Sequence, residues 1–178
     1  MNAGVKVAAV CVAGAMLFGG CGKQNAGQGT GQKPGKISDS FRTSLVELIG
    51  VCGELNAQTE GGVARREFSQ ALAKGKSKAE IVFAMWPREF LPEAKQELQH
   101  AIHGWELALA LWTNDENTTL VSQSSTLGQQ IKEYGTLSHI TIFYSDAVLA
   151  KSGVPRIFEA ASKHYDAAKS QVLPAVSQ

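Results

Sequence analysis

From Leu91 to Trp112 the chain carries one continuous apolar stripe: Leu91, Ala94, Leu98, Ile102, Trp105, Leu109 and Trp112 recur every three or four residues. That spacing is the period of an α-helix; a strand would need strict alternation. Pro92 suits a first helical turn, and Glu93 and Glu97 lie toward the positive end of the helix dipole. Beyond Gly104, Leu107 and Leu111 point to the opposite side, which makes the last two turns apolar nearly all round. A helix of that kind is stable only when neighbours enclose it. Residues 102–112 are therefore expected at the centre of a helical bundle, with Leu98, Trp105, Leu109 and Trp112 in its core.

The flanking segments repeat the pattern. Phe41, Leu45, Leu48, Cys52 and Leu55 form a second stripe, with Ser38 or Asp39 as cap and Leu48 as a further core residue. Gly61-Gly62 ends it, and Phe68, Ala71 and Leu72 mark a helix over residues 63–73. Ser77-Lys78-Ala79-Glu80 reads as a capping box that opens another helix, which Pro87 stops. After the polar break at Asn114-Asp115-Glu116-Asn117, the positions Leu120, Ser124, Leu127, Ile131 and Tyr134 predict a helix closed by Gly135. A helix is also expected over residues 137–151, although Ile140-Thr141-Ile142-Phe143 favours extended backbone. Gly153 and Pro155 punctuate the chain before a last stripe of Val154, Phe158, Ala161, Tyr165, Ala168 and Val172. Residues 37–176 thus predict an all-α domain, an irregular bundle of roughly six to seven helices. Its length suffices for a core without disulfide or metal staples.

The first 36 residues have a different character. Lys6 precedes an apolar run from Val7 to Phe18, followed by Gly19-Gly20-Cys21. One positive charge, about a dozen apolar residues and a small-residue break describe a secretory signal. The run is shorter than the roughly 20 residues a bilayer-spanning helix needs. Leu17-Phe18-Gly19-Gly20-Cys21 resembles the lipobox of bacterial lipoproteins. The resemblance covers the leader alone. It implies that residues 1–20 are removed, that Cys21 is lipidated and that the mature chain is membrane-anchored, since two or more acyl chains hold a protein stably. Gly22 replaces the Asp that in such proteins signals inner-membrane retention, so the resemblance places the protein in the cell envelope, at the outer membrane facing the periplasm in a Gram-negative host. Residues 21–36, rich in Gly and Gln and without a hydrophobe larger than Ala after Cys21, are expected to form a disordered tether.

Cysteine and charge narrow the function. Cys11 leaves with the leader and Cys21 is acylated on this reading, so Cys52 has no internal partner and is expected as a small buried core residue. The formal net charge is +1, and loss of Lys6 leaves the mature chain neutral, unlike the basic face expected of a nucleic-acid binder. One local cluster, Arg65, Arg66, Lys74, Lys76 and Lys78, gathers five positive charges near an expected turn. It reads as a solvated corner or as a contact for anionic head groups.

One constellation has chemical character: Glu97, His100, His103 and Glu106 at successive three-residue steps. Glu-x-x-His is half of a di-iron carboxylate site. Each step of three turns a helix by about 300°, so Glu97 and Glu106 face opposite ways and only adjacent pairs could share an ion or ligand. The missing second Glu-x-x-His favours a polar, solvated face. No nucleophile elbow, zinc-protease motif, phosphate loop or paired-cysteine motif occurs, and no cofactor is expected. The expectation is accordingly a membrane-tethered, non-enzymatic module that binds an envelope protein, as an accessory or as an inhibitor or immunity factor. The alternative is a binder of a small molecule or metal, using a cavity between helices lined by Trp86, Trp105 or Trp112, or the His100/His103 face with Glu97 and Glu106.

Overall fold

Ser38 opens the first helix by accepting a hydrogen bond from the Phe41 amide at 3.2 Å, which satisfies one of the donors that a helix start leaves unpaired. In the computed structural model, the described residues are 37–62, 64–114, 120–143 and 145–177; the expected leader, Cys21 and the tether lie outside them. The elements are α1 (Asp39–Gly61), α2 (Arg65–Met85), α3 (Pro92–Asn114), β1 (Leu120–Ser122), α4 (Thr126–Leu137), β2 (Ala147–Leu149) and α5 (Ala150–Val176). The fold is predominantly helical, as expected, with five helices among the described residues rather than six to seven.

The stripe on α1 is buried as read, through Phe41, Leu45, Leu48, Cys52 and Leu55, and Gly62 ends the helix with φ 74°. The first correction comes in α2, where the expected break near Lys74–Lys78 is absent. Gly75 is not a breaker but a point of close approach. A Cβ there would stand 2.9 Å from Leu55 Cδ1, so the missing side chain lets α1 and α2 close on each other. After α2, Trp86 Nε1 donates to the Phe90 carbonyl at 2.5 Å, and Phe41 meets the Trp86 and Phe90 rings edge-on.

The second correction lies between α3 and α5. Residues 120–122 form a strand, paired antiparallel with 147–149 in the register Leu120↔Leu149, Val121↔Val148 and Ser122↔Ala147. The helix that follows starts late because Ser125, not a residue near Leu120, is its cap, accepting from the Gly128 amide at 3.0 Å. Residues 138–143, expected within a helix, are irregular; the β-branched run there buries Ile142 against the smaller core. Gly153 and Pro155 fall inside α5. A Cβ on Gly153 would come within 2.7 Å of Leu111, so this glycine too serves packing. Pro155 stands early enough in the helix to forfeit only the bond to the Lys151 carbonyl.

The C-terminus of α4 is a Schellman turn. The Ile140 amide reaches the Gly135 carbonyl at 2.9 Å and the His139 amide the Thr136 carbonyl at 3.3 Å, with His139 left-handed at φ 54°. Gly135, expected as the cap, lies four residues before that position. A left-handed conformation costs a non-glycine residue about 1 kcal/mol. His139→Gly is expected to raise stability by a few tenths to about 1 kcal/mol, partly offset by the freer unfolded chain. A urea midpoint that falls would refute this.

The helices enclose two joined cores. The larger unites α1, α2, much of α3 and the C-terminal half of α5 around Leu48, Leu98, Trp105 and Tyr165. The smaller gathers Leu107 and Leu111 of α3, the two strands, α4 and the start of α5. α3 and α5 run side by side in opposite directions and belong to both, so their seam is the spine of the domain. Tyr165 locks α5 to α1 by donating to the Ile49 carbonyl at 3.0 Å. Trp105, Leu98 and Leu48 are fully buried, while Trp112 and Leu109 pack at the margin of the larger core and stay partly exposed.

Candidate functional site

Glu97 and His100 stand one turn apart on the flank of α3 that meets α5, and there His164 completes a cluster. Each of the three offers a ligand-type atom within 4.8 Å of the others, and all three are partly buried. His164 Nδ1 is 2.5 Å from Glu97 Oε2, and its Nε2 is 2.9 Å from Ser138 Oγ at the end of α4. A carboxylate only accepts, so Nδ1 carries the proton; in the neutral ring Nε2 then accepts from the serine hydroxyl. The His100 ring meets the His164 ring edge-on at 5.1 Å. Partial burial, reinforced by His164 and His103 and opposed by Glu97, holds His100 below the usual imidazole range. That direction favours the neutral ring, the form in which an imidazole can ligate a cation.

Tyr134 of α4 closes the lower end of the cluster. Its ring lies 6.1 Å from His164 and 5.9 Å from His103, and its hydroxyl rests over Gly104, one turn from His100. Burial, together with the Glu97 charge, pushes the Tyr134 phenol up to about 12, against a lowering influence of Ser138. Ser138 is close enough to act electrostatically, yet among the described residues Tyr134 Oη makes no properly directed hydrogen bond.

The sequence constellation consequently divides. Glu97 and His100 turn to His164 and His103 meets Tyr134 of α4, whereas Glu106 turns away toward α2. His103 Nδ1 lies 3.7 Å from Glu106 Oε2, and Lys76 forms an ion pair with the same carboxylate. His103 and then Lys76 hold the Glu106 carboxyl below the usual range against the opposing effect of burial. His164 was not nominated from sequence: it has no Glu three residues before it, and it lies 67 positions from Glu97. Ser138 and Tyr134 carry no motif at all.

The structure does not bring the basic cluster together. Lys74, Lys76 and Lys78 step by about 200° around one continuous helix, so Lys76 faces α3 while Lys74 and Lys78 face α1. Lys78 pairs with Glu47. Arg66 and Lys74 are exposed, and Arg65 is partly buried at the start of α2. Among the described residues, Trp112 lines a surface groove beside α5 with Pro155 and Phe158, while Trp105 is fully buried in the larger core. Cys52 is buried, and desolvation pushes its thiol up to about 12, which makes it inert.

Two chemistries fit the cluster of Glu97, Ser138 and His164. Carboxylate, imidazole and hydroxyl in series have the connectivity of a nucleophilic triad. Such a serine needs backbone donors for the developing oxyanion. Here the amides of residues 138, 139 and 140 are all spent on the carbonyls of the Schellman turn, at the negative end of a helix dipole. With His100 beside them, Glu97 and His164 fit the second chemistry, a cation-binding set of two imidazoles and a carboxylate. Among the described residues, no helix is long and apolar enough to cross a membrane. Comparison with protein families, curated proteins and solved structures finds no match for this chain.

Proposed function

We propose that the protein is a lipid-anchored lipoprotein of the cell envelope whose helical domain, held beside the membrane on a short tether, binds a protein partner as an accessory or inhibitory module. The observation that carries this reading is Leu17-Phe18-Gly19-Gly20-Cys21 behind an apolar leader. The sequence supports it: residues 22–36 carry no hydrophobe larger than Ala, and among the described residues the first helix starts at Asp39 behind its Ser38 cap. A Gly/Gln-rich tether of that length would reach on the order of 20 Å, which would keep the domain near the lipid surface and leave its faces accessible. In a Gram-negative host the anchor lies in the outer membrane facing the periplasm.

Cys21→Ser in the full chain is expected to move the protein from the membrane to the soluble fraction and to remove the acyl mass. Unchanged fractionation at unchanged mass would overturn the anchor. Affinity capture of the wild-type protein from detergent-solubilised envelopes tests the module, and a stoichiometric partner lost in the Cys21→Ser variant would support it. A blank capture from folded, anchored protein would sink the interaction reading and leave the anchor standing. A second reading, an anchored binder of a metal or small molecule, draws on one specific observation: His164 stands against Glu97 and His100.

A further inference from the structure

We infer that Glu97, His100 and His164 form a binding site for a first-row divalent transition ion of the zinc type, with Ser138 as the residue that orients His164. The inference deepens the second reading above and is independent of the lipid anchor and of any protein partner.

Ligand type selects the class of ion. Two imidazoles and one carboxylate suit zinc and its neighbours, whereas magnesium and calcium favour all-oxygen sets. Three protein ligands leave a coordination position for water or an incoming group, the pattern of open rather than closed zinc sites. Geometry agrees. With bonds of about 2.0–2.1 Å, tetrahedral ligand atoms stand roughly 3.4 Å apart. The three atoms here all lie within 4.8 Å of one another, and the Glu97–His164 pair is at 2.5 Å. An ion would part that pair by about 1 Å and draw the third ligand in by no more than about 1.4 Å, within the rotamer freedom of partly exposed side chains. The His164 side chain is 16% exposed and that of Glu97 31%, so an ion can enter from solvent without unfolding the seam.

Ser138 lets Nδ1 exchange its proton for the metal while the hydrogen bond at Nε2 is kept. Without an ion, Nδ1–H donates to Glu97 and Nε2 accepts from Ser138 Oγ. When Nδ1 binds the ion its proton moves to Nε2, which then donates to the same hydroxyl; a serine serves in both directions, since a hydroxyl both donates and accepts. A hydrogen bond on the distal nitrogen is the usual means by which a protein orients an imidazole ligand. The α3–α5 seam is already closed by Leu98, Trp105, Ala161 and Tyr165 on its apolar side, so the ion is not needed to hold the helices together. The site is one that loads and unloads, not a structural staple.

The test uses the full chain in detergent, stripped with a chelator and titrated with zinc chloride against a chromophoric competitor. One equivalent should bind to wild type. His164→Gln and Glu97→Gln should each weaken binding by about 100-fold, and Ser138→Ala by about tenfold with all ligands retained. His139→Asn, an exposed imidazole at the neighbouring position, should change it less than threefold, as should Cys21→Ser. Zinc should raise the melting midpoint of wild type but not of His164→Gln, each variant having been shown to be helical by circular dichroism. Absence of zinc binding by folded wild type, or equal binding by folded His164→Gln, would overturn the assignment. Labelling of Ser138 by a fluorophosphonate probe without zinc retention would overturn it in favour of a nucleophilic serine.

Discussion

Trp105→Ala should lower the stability of the domain by about 3–5 kcal/mol, the cost of removing a large aromatic ring from a core that cannot fully collapse around the space left. Trp105 is fully buried, packs 6.2 Å from the Tyr165 ring and lies on α3 where it faces α5. In a domain of this size, each kcal/mol moves the melting midpoint by roughly 2–4 °C, so a fall on the order of 10 °C or more is expected. Trp105→Phe should lose distinctly less. Among the described residues the indole Nε1–H has no hydrogen-bond partner, and phenylalanine removes that buried donor while keeping most of the apolar surface. The ordering Ala far below Phe, measured by urea unfolding, identifies the residue as core. An unchanged midpoint for Trp105→Ala would show that the α3–α5 seam does not depend on it.

That Trp105 belongs in the core was readable from α3 alone, because an apolar stripe continued over so many turns has one stable use. α1 was legible for the same reason, and its cap at Ser38 and stop at Gly62 carry local signals. The failures cluster at glycines and at short extended pieces. A glycine in sequence does not say whether the backbone turns there or a neighbour presses there; Gly75 and Gly153 are of the second kind, which turned one helix into two and hid the start of another. Strands of three residues hold together through partners 27 or so positions away, a contact that no local period records. The candidate site failed in the same way. Glu97 and His100 were visible as a spaced pair, but His164 and Ser138 reach them only through the packing of α3, α4 and α5. Of the other two members, equally visible, Glu106 is carried by the helix turn to Lys76, and His103 lies between Glu106 and Tyr134.

Gly104→Ala should destabilise the domain by about 2 kcal/mol net, against the direction that helix propensity alone would give. Alanine in the middle of a helix gains up to about 1 kcal/mol over glycine. At this position its methyl group would fall inside contact distance of Tyr134 Oη, 2.6 Å from Tyr134 Cζ and 2.9 Å from the Ala161 Cβ. Neither neighbour can yield: Tyr134 is buried among Ile131, Leu107 and Ile157, and the Ala161 Cβ moves only with the α5 backbone. Overpacking of this kind costs about 1–3 kcal/mol and occasionally more, and two rigid neighbours place Gly104 at the upper end. Tyr134→Phe separates the contact from the rest of the seam. Alone it should be neutral or slightly stabilising, because it deletes a buried hydroxyl that makes no directed hydrogen bond. Combined with Gly104→Ala it should recover about 1 kcal/mol of the loss, since the shortest clash is gone while Cζ and Ala161 remain. Recovery would establish that the Tyr134 hydroxyl sets the spacing of α3 and α4 one turn below His100. Strict additivity would mean that Ala161 alone limits the approach, and that α5 rather than α4 fixes the width of the site.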